Sequence, residues 1–426
     1  FLTYGFVHAN LLHALFVSVF ILALGKMVAE IFRPWAFLAV FFGAALSGAL
    51  VYSAVPGVRA ALIGGYPAAY GLIGAFTFVI WARLGAENAH RGRAFSLIGM
   101  LMGIQLLFGL LFGGSPDWIA DLAGMPESAG GTFVSGGSAA NLSALAVARE
   151  IGRQRFGVRE VRIACSDEAH SSVANACRIL DVEPFVVPSE DHRFTGAGLR
   201  QALDAHEGPP VVAVVATAGT TNAGIVDDLA GIAEVCRERD LWLHVDGAYG
   251  GAALLSDQKW RFDGLQHADS FITDPHKWWF APFDCAALLY RDPDQAASVH
   301  TQHASYLDPL HQSDHPEYWN PTDLAHHLSR RARGLPLWFS LAVHGTTAYR
   351  IAVQHVLDLT AEVAALVDES PHVELVREPG LSIVLWRRPG WGKEDYIDLQ
   401  NRLLAEQEAF ATPTVWEGEV IGRFAL

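Results

Sequence analysis

Residues 241–251 read Leu241-Trp-Leu-His-Val-Asp-Gly-Ala-Tyr-Gly-Gly251. A short apolar run that meets a carboxylate and then glycines predicts a strand buried on both faces, with Asp246 at its exit. An acid in that position needs a cationic or hydrogen-bond-donating partner. Taken alone, Asp246 reads as a strand-end cap. Working outward, strand-like runs fall at 161–165, 211–217, 270–273 and 286–290, and amphipathic helical stretches at 140–153 and 228–239. This alternation predicts an α/β domain with a mainly parallel sheet. Ligands of such sheets gather beyond the carboxyl ends of the strands. The polar residues expected there are His170, Thr217, Asp246 and Lys277.

Two neighbouring motifs bear on what the sheet holds. Thr132-Phe-Val-Ser-Gly-Gly-Ser138 runs into the helix expected from about Ala140. Glycines allow close backbone approach, and the free N–H groups of a helix start favour an anion such as phosphate. By itself the motif equally fits a turn and an N-cap, and it is neither a Walker loop nor a dinucleotide fingerprint. Asp274-Pro-His-Lys-Trp278 puts a lysine after a turn and before aromatics. Partial desolvation there would favour a neutral, nucleophilic amine, although a lone lysine is ordinarily a surface residue.

Considered together, SGGSAAN (135–141), SDEAHSSV (166–173), ATAGTTNAG (216–224), HVDGAYGG (244–251) and DSFITDPHKWW (269–279) occur in this order. In order and spacing they resemble the group II amino acid decarboxylases of the fold-type I pyridoxal-phosphate family, over about residues 117–426. The resemblance implies a mainly parallel seven-stranded sheet with flanking helices in a large domain (117–345) and a small C-terminal α+β domain (346–426). It implies pyridoxal 5'-phosphate as cofactor, an L-amino acid substrate of which the aromatic class is favoured, and a homodimer. By the same likeness Lys277 binds the cofactor covalently and Asp246 pairs with its pyridinium nitrogen. His170 stacks on the ring, and Ala248 leaves room at the other face. Gly137, Ser138, Ser270 and His276 hold the phosphate, while Thr217 touches the ring substituents. Tyr306, in HASYLDP (303–309), matches the mobile-loop tyrosine that returns a proton to the substrate carbon; a buried loop aromatic is its plainer reading. The segment 328–338 matches an arginine-rich helix, although Gly334 and Pro336 are unusual in one. His311 and His315 have the spacing of a helical metal pair, but Asp314 and Pro316 favour a solvated loop, and no metal is expected.

Composition separates this part from what precedes it. The 426 residues are 51% apolar with a net charge of −15 and a mean hydropathy of +0.23. Residues 1–116 hold six Lys/Arg and two acids, a net of +4, which leaves −19 for the remainder. No basic stripe interleaved with aromatics suggests nucleic-acid binding. The four cysteines, all in the acidic part and without CxxC spacing, read as reduced core residues.

Apolar runs at 11–24, 35–55, 60–81 and 95–113 have roughly the length that crosses a bilayer, about 20 residues. They predict an all-α multi-pass membrane segment over 1–116, with the joints carrying Lys26 and Arg33, and Arg83, Arg91 and Arg93, on the cytoplasmic side. GFVHANLLHALF (5–16), GGYPAAYGLIGAF (64–76) and PDWIADLAG (116–124) resemble the rhomboid intramembrane serine proteases over roughly residues 1–124. That likeness implies an inactive member: Tyr66 stands at the nucleophilic serine's position, followed by Pro67, Asp121 stands at the basic histidine's, and Val17 replaces a polar oxyanion-holding residue. His8 and His13 match family histidines, but lie about 140° apart on a helix.

The rhomboid-like segment occupies the place of about a hundred residues that help decarboxylases form their dimer and substrate pocket. The chain begins at Phe1 and its C-terminal domain stops early at IGRFAL (421–426). Its membrane topology would deliver the second part outside the cytoplasm, where that part alone would be expected to work. These features predict a chimeric or truncated product joined within DWIADLAG (117–124), and continuous long reads across those codons would overturn that expectation. The competing function is a non-catalytic rhomboid-like membrane protein carrying an inert decarboxylase remnant; a different pyridoxal-phosphate lyase chemistry is also open.

Overall fold

The computed structural model describes residues 34–54, isolated positions from 72 to 84, Lys26, and residues 117–304 and 320–426. The chain divides into two compact units, Phe1–Leu111 and Phe112–Leu426. In the first, α1 (Pro34–Ala54) covers the second apolar run. Among the described residues no helix is long and apolar enough to cross a membrane. Tyr66, Pro67, Val17, His8 and His13 lie outside the described residues.

The second unit opens with α2 (Asp117–Leu122). Ile119 and Ala120 are buried in the same core as Trp279 and Leu337, and the Trp118 ring meets that of Trp279 edge-on at 5.6 Å. Asp121 is exposed. The start of DWIADLAG is thus an integral part of this unit's core.

The central sheet is built from β1 (Gly130–Val134), β2 (Arg162–Ser166), β3 (Glu183–Val187), β4 (Val211–Thr217), β5 (Trp242–Asp246), β6 (Ser270–Thr273) and β7 (Ala286–Tyr290), in the order β1-β7-β6-β5-β4-β2-β3. From β6 to β3 the neighbours are parallel; β7 runs against both β1 and β6, so the seven-stranded sheet is mixed. The middle strand β4 is apolar up to Thr217 because both its faces are covered. Along β4, Val214 and Ala216 join one core, whereas Ala213 and Val215 join the other, the period-two alternation of a strand between two helical layers. The crossovers are α3 (Gly137–Phe156), α4 (Ser171–Ile179), α5 (Gly196–Asp204) and α6 (Leu229–Arg239). Each starts just past a strand or loop end, and α4, α5 and α6 are capped by side chains of His170, Thr195 and Asp228, which satisfy otherwise unpaired N–H groups.

After β7 and α7 (Pro293–His300), the long α8 (Gly334–Asp368), broken at Gly345, leads to a four-stranded antiparallel sheet. That sheet comprises β8 (Glu374–Leu375), β9 (Ile383–Arg387), β10 (Thr414–Trp416) and β11 (Glu419–Ala425), with α9 (Lys393–Ala405) beside it. The arginine-rich stretch is not helical: α8 starts only at Gly334. Pro336 therefore sits in the first turn, where its missing N–H costs nothing. A Cβ at residue 334 would fall 2.4 Å from the Phe133 ring, so glycine is what lets the helix start there. The arginines work as anchors instead. Arg330 donates to Thr132 Oγ1 at 3.0 Å, and Arg331 and Arg333 pair with Asp284.

All four cysteines are free and buried. Burial pushes the Cys165 thiol up to about 12 and Cys177 up to about 11, so neither is a ready nucleophile.

Candidate active site

A cavity of about 440 Å³ opens at the carboxyl ends of β2, β4 and β5. The start of α3 forms one wall with Ser135, Gly136, Gly137 and Ser138; the turn after β6 forms the facing wall with Asp274, His276 and Lys277. His170, Thr217, Asp246 and Ala248 also line it. Of the residues singled out in the sequence, Gly137, Ser138, His170, Thr217, Asp246, Ala248, His276 and Lys277 thus share one cavity.

Ser270 does not line it. It is fully buried, and its hydroxyl lies within hydrogen-bond distance of Trp242 Nε1 (2.9 Å) and His244 Nδ1 (2.8 Å). A strand residue three positions before the β6 exit points into the core, which corrects its expected place at a phosphate. Tyr306, His311 and His315 lie outside the described residues. Among the described residues, no three potential metal ligands cluster.

Asp246 is 5% exposed and well supplied with donors. Asn141 Nδ2 donates to Oδ2 at 2.8 Å, and the Ala248 N–H donates to Oδ1 at 3.0 Å. Behind it, Asn141 Oδ1 lies 2.8 Å from His244 Nε2. One self-consistent direction runs through the whole chain: Trp242 to Ser270, Ser270 to His244 Nδ1, His244 Nε2–H to Asn141, Asn141 to Asp246. It requires a neutral His244, and burial pushes that imidazole down to about 4, with Asp246 acting the other way.

His170 caps α4, its Nδ1 accepting from the Ser172 N–H at 3.2 Å. The cap fixes the ring at the cavity wall. Thr217 is held by its own N–H, which donates to Asp227 at 2.6 Å. Tyr249, another wall residue, is bonded through its hydroxyl to Ser382, just before β9 of the small sheet.

Lys277 stands in the open part of the cavity, its side chain 42% exposed, with Nζ 3.1 Å from Asp274 Oδ2. The expected apolar setting is absent; the amine faces a carboxylate. His276 Nδ1 accepts from the Cys285 N–H at 3.0 Å, which leaves Nε2 directed toward Asp274 at 3.6 Å. The Gly137 N–H, at the start of α3, donates to Asp274 Oδ2 at 3.2 Å. A Cβ at Gly137 would come within 3.0 Å of that carboxylate and 3.1 Å of Ala248 Cβ, so glycine keeps this corner of the cavity open. One end therefore offers a helix start, a serine, an imidazole and an amine. The other offers a donor-locked carboxylate, and between them lie a flat histidine and a small alanine. These groups fit an elongated aromatic phosphate that carries an electrophilic carbon and a basic ring nitrogen.

Asn141, Ser172, His244 and Asp274 were not marked as functional in the sequence. Asn141 had a visible signal: it lies four residues after Gly137, on the same face of α3. His244 and Asp274 sit inside the quoted motifs, but their arrangement depends on α3, through Asn141 and Gly137, more than a hundred residues earlier.

The model for the pyridoxal-dependent decarboxylase conserved domain matches residues 115–388, and the rhomboid domain model matches residues 1–134. An aromatic-L-amino-acid decarboxylase of Bacillus atrophaeus is 34% identical over 278 residues, 64% of this chain and 58% of its own length. An L-2,4-diaminobutyrate decarboxylase of Acinetobacter baumannii is 30% identical over 72% of this chain and 64% of its own. The chain thus spans about six tenths of the length of each. Among solved structures, Oryza sativa TDC with PLP and tryptamine superposes with a TM-score of 0.66 at 25% identity, covering 78% of this chain and 76% of that one.

Proposed function

The chain belongs to the pyridoxal-dependent decarboxylase family, and on that premise we propose that it binds pyridoxal 5'-phosphate and removes the α-carboxylate of an L-amino acid, with aromatic amino acids the favoured class. The observation that carries this reading is the placement of Lys277 and Asp246 in one cavity with the helix start at Gly137. The bound cofactor supplies an electron sink for the pair released when carbon dioxide leaves. The chain's own residues do the rest. Lys277 is the covalent anchor, and Asp246, held by Asn141 and the Ala248 N–H, keeps a proton on the ring nitrogen. His170 and Ala248 flank the ring, Thr217 meets its substituents, and Gly137, Ser138 and His276 receive the phosphate. Tyr306 is assigned the proton that returns to the substrate carbon.

The division into a large domain (117–345) and a small one (346–426), and pairing as a homodimer, go with this reading. We further propose that residues 1–116 form a multi-pass, proteolytically inactive rhomboid-like membrane segment; the rhomboid match and the four apolar runs support it. Resistance of the chain to alkaline carbonate extraction from membranes tests this.

The cofactor is tested by absorbance. Adding pyridoxal 5'-phosphate produces a band near about 420 nm, which Lys277→Ala abolishes because the covalent link needs that amine. Release of carbon dioxide and amine from an aromatic amino acid tests the reaction. No band in folded protein would instead favour an inert remnant on a membrane protein, the reading that the rhomboid match leaves in play.

A further inference from the structure

Asp274 is the one group at the phosphate end of the cavity whose charge has the wrong sign. Its carboxylate is 2% exposed. Oδ2 faces Lys277 Nζ at 3.1 Å and His276 Nε2 at 3.6 Å, and it accepts the Gly137 N–H at 3.2 Å. Oδ1 is buried and has no hydrogen-bond partner. A lone acceptor in that position is costly for a carboxylate. A carboxylic acid would turn the same atom into a donor.

Two of the contacts of Oδ2 are those an incoming phosphate needs, the helix-start N–H of Gly137 and the imidazole of His276. A phosphate dianion reaching Gly137 therefore meets a buried negative charge bonded to the same amide. We infer that Asp274 gates this anion seat, taking up a proton as a phosphate monoester enters, so that its carboxyl no longer competes as an anion for the Gly137 N–H. The inference rests on the cofactor reading above.

The groups facing Asp274 set the direction. Burial raises its carboxyl above the ordinary carboxylate range; Lys277 and His276 act against that, and Asp246 adds to it. The remaining neighbour is the Cys285 thiol, itself pushed up to about 12 by burial and by Asp274, so it stays neutral. Proton uptake on binding means that affinity for the phosphate falls as pH rises, by at most about tenfold per pH unit for one linked proton.

The test uses the whole chain and pyridoxine 5'-phosphate, which has no aldehyde and so no covalent chemistry at Lys277. Titration calorimetry in two buffers of different ionisation enthalpy counts the protons taken up per ligand between about pH 5.5 and pH 8. The free phosphate's titration is common to all variants, and the phosphorus NMR shift of the bound ligand reports where the extra proton rests: a phosphate that is itself protonated when bound to wild type overturns the gate. In wild type, uptake is expected to exceed that of Asp274→Asn by a large fraction of a proton. The Asn variant should bind about tenfold or more tightly near the upper end, with the difference closing toward the lower end. Asp274→Ser, smaller and also neutral, should lose the same uptake, and unphosphorylated pyridoxine should not distinguish the three proteins. Equal proton uptake by wild type and both variants, with binding intact, overturns the gate and leaves the cofactor reading standing. Absence of pyridoxine 5'-phosphate binding in all three proteins across the range takes both down.

Discussion

Asp246 owes its setting to residues that never reach the cavity's centre. Asn141 touches three partners at once: Asp246 Oδ2 at 2.8 Å, Ser172 Oγ at 2.9 Å and His244 Nε2 at 2.8 Å. Asn141→Ala leaves these buried groups without the amide, at a cost of about 2–3 kcal/mol in unfolding free energy. Urea denaturation measures this, and an unchanged midpoint would show that the chain of bonds carries no weight. His244 gives a pH signature. Its folded value lies near 4 against an unfolded value of 6.5. Between those values the unfolded chain holds a proton that the folded one does not, so stability rises with pH across this window. The contribution is complete above the unfolded value and is lost as pH falls toward the folded one. His244→Gln, which still offers a donor and an acceptor, should lose roughly 3 kcal/mol less than wild type on acidification across the window; parallel curves would refute the burial argument. That Lys277, Asp246 and His170 share one cavity was legible, because they sit in motifs whose order is itself informative. Ser270 was misplaced because motif membership does not say which face of a strand a side chain leaves. Asp274 went unassigned because its meaning depends on Gly137, a residue 137 positions earlier.

At the scale of elements, β4, β6 and β7 coincide with the expected runs, and β2 and β5 are displaced by one residue. Continuous apolar runs ending in turns are strong signals when both faces are covered. β1 and β3 were missed for a physical reason. Gly130–Val134 begins with two glycines, and Glu183–Val187 is an edge strand with a proline and two exposed positions, which local pattern does not mark as strand. Packing can also oppose propensity, and α3 tests which wins. Gly152 lies inside this helix, where alanine is intrinsically better by about 1 kcal/mol. A Cβ there, however, would stand 2.4 Å from Val212 Cβ on the buried β4 strand. Gly152→Ala should therefore destabilise the second unit by roughly 1–3 kcal/mol despite the better helix former, read as a lower melting midpoint. A higher midpoint would mean that α3 and β4 are not in such close register.

For the whole molecule, the division into a basic, apolar first quarter and an acidic remainder was visible in charge and hydropathy alone, and the structure divides the chain into compact units at Leu111 and Phe112. Surface pairing was not visible, since it depends on which side of α8 the core uses. Leu337, Trp338 and Leu341 of that helix are buried, whereas Leu335, Phe339 and Val343 point outward at four-residue spacing, Phe339 55% and Val343 73% exposed. Residues 334–349 contain no Asp, Glu, Lys or Arg, so no carboxylate, amine or guanidinium hydrates this stretch of the surface. Beyond the break, Ile351, Leu359 and Leu366 are also exposed. Rows of this kind on otherwise charged proteins mark an interface, and the proposed homodimer would cover this one. Each large side chain so buried contributes about 1.5–3 kcal/mol. Placing glutamates at both Phe339 and Val343 should therefore weaken self-association at least about a hundredfold without unfolding the chain, because neither side chain supports the core. Sedimentation velocity over a concentration series in mild detergent measures this. An apolar contact should also survive about 1 M salt, where exposed ion pairs are screened. A wild-type chain that stays monomeric across the series, or a double variant that dimerises as tightly as wild type, would remove α8 from the interface and leave its apolar row without a role.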